Sequence, residues 1–288
     1  MIHTYEILTD SACDLSAQLR EQWNVKMVSL TLRFRDAERS DSVDESIQEI
    51  YEGLRHGEVA TTAAVNPDGW AGGIEPVLAS GKDVLVLAFS SGLSTTYQSA
   101  VIAARELQEA YPQRRIRVVD TLCASLGQGL LVYYACQKRD EGMELDALAD
   151  WAEEEKTHLC HWFTVNDLMY LKRGGRISAA TALAGTVLGI KPVLHVDDEG
   201  HLVSVSKVRG RKASIEALAA KTEQLGVPQQ EKTAFICHGD CLEDAKYLEK
   251  LLREKCGFDH VVIGYTGAVI GAHSGPGTLA LFFLGSHR

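Results

Sequence analysis

Residues Val84-Leu85-Val86-Leu87-Ala88-Phe89 form an unbroken apolar run, after which Ser90-Ser91-Gly92-Leu93 turn the chain and Thr95 to Glu109 continue with helical character. A strand without polar alternation has no face to offer water, so it must be covered on both sides. In a chain of ordinary globular composition that covering comes from helices on a largely parallel sheet. Ser94 falls where the N-cap of the following helix belongs.

The same grammar recurs around this run. Tyr5 to Thr9 predicts a strand, Asp10-Ser11 a turn, and Asp14 to Trp23 a helix. Lys26 to Phe34 alternates as a further strand, and Ile47, Ile50, Tyr51 and Leu54 give Asp44 to Leu54 helical spacing. Arg117 to Val119 is a strand ending at Asp120-Thr121, followed by helices over Leu126 to Lys138 and Leu145 to Lys156. Alternating strands and helices of this kind are βαβ units.

The character changes near residue 157. Leu159 to Val165 reads as a strand and Ala179 to Leu188 as an apolar helix. Val193 to Val196 and Leu202 to Val208 flank Asp197-Asp198-Glu199-Gly200, a hairpin turn by composition. Amphipathic helices over Lys212 to Gln224 and Cys241 to Lys255 enclose the strand Thr233 to Cys237. The expectation is therefore α/β with two domains: residues 1–157 around a parallel sheet and residues 158–288 around a mixed sheet. A length of 288 residues suits two cores better than one.

Charge and cysteine usage narrow the partners. Twenty-nine Lys and Arg against 39 Asp and Glu leave a formal net charge of −10 at pH 7, which repels a nucleic-acid backbone. The seven cysteines are scattered with no C-x-x-C pair, as in a reducing cytoplasm, and Cys237-His238 with Cys241 lacks the second ligand pair of a zinc site. Glu6 and Asp10 interrupt any secretory signal in the opening residues. Val261 to Gly285 holds no Asp, Glu, Lys or Arg, but six interruptions by glycine and proline favour buried strands and a tight loop over a membrane span.

Four segments gather polar residues at the ends of apolar elements: Thr61-Thr62, Ser90 to Thr96, Leu171 to Ser178, and Gly271 to Gly277. Hydroxyls at a helix N-terminus, outside the carboxyl ends of parallel strands, suit a small anion, although Ser94 could equally do no more than cap its helix. His273 lies among glycines that let backbone approach a ligand, or else is satisfied within a tight turn. Arg173 and Arg176 flank two glycines and suit either solvent or docking to a partner or phosphate. A phosphate-cradling P-loop, a G-x-S-x-G elbow and an H-E-x-x-H pair are all absent from the sequence. Ser94 with His273 as a distant nucleophile and base would make an acyl-ester hydrolase.

Together LTDSACDL (Leu8–Leu15), SSGLSTTYQSA (Ser90–Ala100), VVDT (Val118–Thr121), DLMYLKRGGRIS (Asp167–Ser178), IKPVLHVDDEGHLVSVSKVRGRK (Ile190–Lys212) and IGAHSGPGTLAL (Ile270–Leu281) resemble the DegV family of bacterial fatty-acid-binding proteins over nearly the whole chain. The resemblance implies two α/β domains holding a long-chain fatty acid, its carboxylate between them and its acyl tail in the second. It assigns carboxylate binding to Thr62, Ser94 and His273. It also implies a non-catalytic carrier in the cytoplasm, without metal or cofactor, and at most transient contact with a membrane surface. The carrier would present its ligand to a separate ATP-dependent fatty acid kinase for phospholipid synthesis, with Arg173, Arg176 and Arg209 as kinase-facing or phosphoryl-facing candidates. A weaker resemblance in architecture points to phosphotransferase subunits of the dihydroxyacetone-kinase type.

Two positions depart from the family pattern: Ala63 follows Thr62 where serine is usual, and Thr95 replaces a glycine, either narrowing the mouth or adding a hydrogen bond. The expected tail-lining residues are Leu168, Ile177, Leu183, Val187, Leu188, Ile190, Phe282 and Phe283. A dozen buried methylenes supply roughly 10 kcal/mol before association costs, so the carboxylate mainly fixes orientation.

Overall fold

The computed structural model describes residues 4–41, 47–179, 189–228 and 232–288. Through the first half, chain order is β1 (Tyr5–Asp10), α1 (Ala17–Gln22), β2 (Val25–Val28), β3 (Thr31–Phe34), β4 (Ala37–Ser40), α2 (Ile47–Arg55), β5 (Ala60–Ala63), α3 (Pro67–Ala79), β6 (Asp83–Ala88), α4 (Thr96–Ala110), β7 (Ile116–Asp120), α5 (Leu126–Asp140) and α6 (Leu145–Glu155). The second half follows as β8 (Leu159–Thr164), α7 (Met169–Arg173), β9 (Ile190–Val196), β10 (Leu202–Arg209), α8 (Arg211–Leu225), β11 (Thr233–His238), α9 (Leu242–Cys256), β12 (His260–Tyr265), α10 (Ala268–Ser274) and β13 (Leu279–Leu284).

Strands β2, β1, β6 and β7 pair in that order, all parallel. Every residue of β1 and β6 is buried; the apolar run Val84–Ala88 accounts for β6, whereas β1 buries Glu6, Thr9 and Asp10 among its apolar residues. The second sheet runs β10-β9-β8-β13-β11-β12 and is mixed: β11 and β12 are parallel and the other pairs antiparallel. Helix α5 lies between these sheets. Its Leu126 and Leu130 share one apolar core with Ile7 and Leu85 from the first and Phe163, Phe235 and Phe282 from the second. One continuous core therefore joins the two halves of the chain.

A third sheet, β4-β3-β5, is antiparallel and was not expected. The single strand anticipated over Lys26 to Phe34 is two strands in two sheets. Between them, the Leu30 N–H donates to Ser11 Oγ (3.0 Å) and the Leu30 carbonyl accepts from the Asp41 N–H (2.8 Å), which fixes the bend. Thr61-Thr62, which carry no periodicity, become β5 by pairing Thr62 with Leu32. A strand this short has no pattern of its own and exists because β3 supplies its partner.

The charge-free segment from Val261 also differs in detail. Buried strands and a tight loop were anticipated there, but about two turns of helix intervene as α10, carrying His273 in the last turn. The helix anticipated over Ala179 to Leu188 lies, except for Ala179, outside the described residues, and so do Leu183, Val187 and Leu188. Among the described residues no helix is long and apolar enough to cross a membrane.

Candidate functional site

Thr62 reaches its position on the small sheet, on the face it shares with its cross-strand partner Leu32 and with Phe34, both fully buried. Its Oγ1 lies 2.7 Å from Nε2 of His273, a bond spanning 211 residues of sequence. The helix carrying His273 is pinned from the first half of the chain. Asp41 Oδ1 accepts the Val269 N–H at its start (3.1 Å), and Tyr51 donates its hydroxyl to the Thr266 carbonyl (2.8 Å).

Ser94 stands one residue before the N-cap of α4, which is Thr95, so the capping position expected of Ser94 is displaced by one. Its Oγ nevertheless accepts the Thr96 N–H (3.2 Å) and lies 2.8 Å from Thr96 Oγ1. Both Ser94 and the exposed Thr95 border the same cavity as Thr62 and His273. Ser94 and His273 share no hydrogen bond, because Thr96 engages the serine and Thr62 the imidazole. The nucleophile–base pairing of a hydrolase is therefore not assembled.

The glycine pair between the two arginines has a steric reason. A Cβ on Gly174 would sit 2.2 Å from Nδ1 of His273, so only glycine lets the end of α7 approach the imidazole this closely. Arg176 then turns inward. Its Nε and Nη2 donate to the Leu93 carbonyl at 3.2 and 3.0 Å, its Nη1 donates to the Gly174 carbonyl, and its side chain lines the cavity. Arg173 and Arg209 behave differently: both are exposed, the Arg173 guanidinium lying 5.3 Å from the centre of the Tyr170 ring. The three arginines thus do not share one surface.

The cavity measures about 440 Å³, within the range of small-molecule sites of ~300–1,000 Å³. Its wall is mostly apolar, with Phe89, Leu93, Phe163, Leu171, Val196 and Phe282 among its residues. Burial alone holds the Arg176 guanidinium below its ordinary range, and among the described residues that line the cavity none is a carboxylate. Burial first, and then the nearby Arg176 charge, push the His273 pKa down to about 4, so the imidazole is neutral at pH 7. The lining contains one guanidinium and no acidic side chain. Such a pocket favours an apolar ligand that carries an anionic group. Among the described residues no group of three or more His, Cys, Asp or Glu is placed to hold a metal.

Among the expected tail-lining residues with described positions, Phe282 alone borders this cavity. Phe283 does not, because strand alternation turns it to the opposite face of the mixed sheet, where it packs with Leu218, Leu248 and Leu252. Leu168 is buried in the core beside the cavity, Ile177 borders a shallow outer groove, and Ile190 is a half-buried residue at the start of β9. Wall residues not anticipated from sequence include Ser125, Cys237 and His161. His161 donates from Nδ1 to the Leu159 carbonyl (2.7 Å), and burial holds its pKa well below the ordinary value, so it adds no charge. It could have been found only from the register of β8 with β13, which sets it opposite Phe282.

Fold and site together define a class: a three-sheet α/β protein with an apolar cavity bordered by hydroxyls, a neutral imidazole and one guanidinium. The sequence profile of the DegV family, described as uncharacterised, matches residues 4–286, and the chain belongs to that family. A DegV domain-containing protein of Clostridium perfringens is 44% identical over 286 residues, covering 99% of this chain and 98% of its own. Among solved structures, a fatty-acid-binding DegV family protein of Thermus thermophilus matches with a TM-score of 0.89 and 31% identity, covering 99% of this chain and all (100%) of its own. A DegV lipid-binding protein of Thermotoga maritima matches with a TM-score of 0.87 and 28% identity, covering 99% of each chain.

Proposed function

We propose that this protein binds a long-chain fatty acid and presents its carboxylate to a separate ATP-dependent fatty acid kinase, which would make an acyl phosphate for phospholipid synthesis. The observation that carries the reading is the single uncompensated guanidinium, Arg176, at a cavity otherwise lined by apolar groups, hydroxyls and a neutral imidazole. A half-buried cation without a counterion is costly, and an anionic ligand removes that cost. The solved relatives described as fatty-acid-binding or lipid-binding support the same ligand class.

In this reading residues 1–157 and 158–288 are two domains, with the carboxylate between them and the tail in the second. With its proton on Nε2, His273 donates to Thr62 Oγ1, which frees the Thr62 hydroxyl hydrogen for a carboxylate oxygen. Ser94 offers the second hydroxyl, and Thr95 a third at the mouth. Arg176 supplies the countercharge from the cavity wall rather than the kinase-facing surface. Arg173 and Arg209, being exposed, remain the candidates for contact with the kinase. The protein itself carries out no bond-breaking step in this scheme and works in the cytoplasm.

Denaturing extraction followed by mass spectrometry tests the ligand. Recovery of a long-chain fatty acid, or stoichiometric uptake of added palmitate, is the expected result. An extract without acyl chains combined with no uptake would overturn the reading, and so would turnover of a chromogenic acyl ester with labelling of Ser94 by a serine-reactive probe.

A further inference from the structure

The turn Asp197 to Gly200 belongs to the second half of the chain, yet its tip lies against the loop that carries Ser94. Ser90, fully buried, donates its hydroxyl to the Gly200 carbonyl (3.0 Å). Its Oγ also accepts the Gly92 N–H (3.2 Å), and its carbonyl accepts the N–H groups of Leu93 and Ser94 (both 3.1 Å). A Cβ on Gly92 would sit 2.8 Å from the carbonyl oxygens of Glu199 and Gly200, so the two backbones are in direct contact. The turn is itself rigid: Asp197 Oδ1 accepts the N–H groups of Glu199 (3.1 Å) and His201 (2.8 Å), and the Gly200 N–H donates to the Asp197 carbonyl (3.0 Å).

Val196, immediately before this turn, and Leu202, two residues after it, are cavity wall. One hairpin therefore touches both ends of the proposed ligand, its flanks beside the tail and its tip beside the carboxylate loop. The geometry points to Ser90 as a positioning residue: through its bond to Gly200, the hairpin that walls the acyl chain holds Ser94 in place for the carboxylate. A tail that packs against Val196 and Leu202 also steadies the tip, so the carboxylate end is held best when the tail region is filled. The inference rests on the fatty-acid reading above and adds a residue outside the carboxylate contacts.

A double-mutant cycle with palmitate as probe tests it. Ser90→Ala removes the bond, and loss of one such hydrogen bond weakens palmitate binding by about tenfold. In a Ser94→Ala background the same change should alter the dissociation constant by less than twofold, because the group it positions is gone. Gly200→Ala attacks the contact from the other side, since its Cβ would meet Ser90 Oγ at 2.2 Å, and in each background it should follow the pattern of Ser90→Ala. Losses from Ser90→Ala or Gly200→Ala that multiply with that of Ser94→Ala overturn the inference, as does full affinity in either variant alone. Wild-type protein that binds no palmitate overturns the fatty-acid reading as well, and so separates the two failures.

Discussion

At Thr62 and His273 the chemistry depends on one 2.7 Å bond between a small-sheet strand and a late helix. Thr62→Val keeps the side-chain shape and removes the hydroxyl, leaving the imidazole without its partner at a cost of about 1–3 kcal/mol. Palmitate affinity measured by calorimetry should fall by one to two orders of magnitude. Gly174→Ala drives a methyl group into the imidazole and should lower both affinity and stability, the latter by about 1–3 kcal/mol in urea denaturation. The pH response of His273 has a definite sign. Its folded pKa of about 4 lies below the value of 6.5 it takes in the unfolded chain, so its contribution to stability is full above pH 6.5 and is lost as the pH falls toward 4. Burial acts oppositely on Asp10 and Asp41, raising them from 3.8 to about 7 and about 6. Their contributions are full below pH 3.8 and decline as pH rises through those values. His273→Gln removes the first effect alone. The stability difference between wild type and this variant should therefore be largest near pH 7 and shrink toward pH 4.

Among the elements, the small antiparallel sheet is what brings Thr62 to the cavity. Phe34 on β3 is 1% exposed and fills the space beneath it, so Phe34→Ala should destabilise the protein by about 3–5 kcal/mol. Fatty acid binding should weaken further than the stability loss explains, because β5 loses the support that aims Thr62. This element was the least legible in the sequence: its strands have four residues each, too few for alternation to show. The βαβ unit around β6 was legible because that strand is buried on both faces and carries an unbroken apolar run from Val84. Ser94 could be singled out for the same reason, since it closes one such unit. The inward turn of Arg176 could not, because an arginine beside two glycines reads the same whether it faces solvent or the Leu93 carbonyl.

For the whole molecule, a ligand that binds only the folded state at a hundred times its dissociation constant adds about 2.7 kcal/mol. Palmitate should accordingly raise Tm by roughly 4–5 °C in a thermal scan, and a long-chain alcohol, lacking the anion for Arg176, should do markedly less. Arg288 ties the halves together at a second place, donating to the Lys156 and Asp197 carbonyls (both 2.8 Å) and to Cys123 Sγ (3.2 Å) while 7% exposed. Arg288→Ala removes these bonds, leaving the Asp197 carbonyl only the Gly200 N–H, and should lower Tm without changing which chain lengths bind. Local order in this protein follows from composition at short range: apolar runs make strands, periodic ones make helices, and Asp197 to Gly200 makes a turn. Those outcomes depend on neighbours a few residues apart, and the chain alone specifies them. The pairing of Thr62 with His273, the seating of the hairpin tip on Ser90 and the burial of the Arg176 guanidinium against the Leu93 carbonyl arose on packing. Each joins residues more than 80 positions apart, and their energies exist only once one core has brought both halves of the chain together.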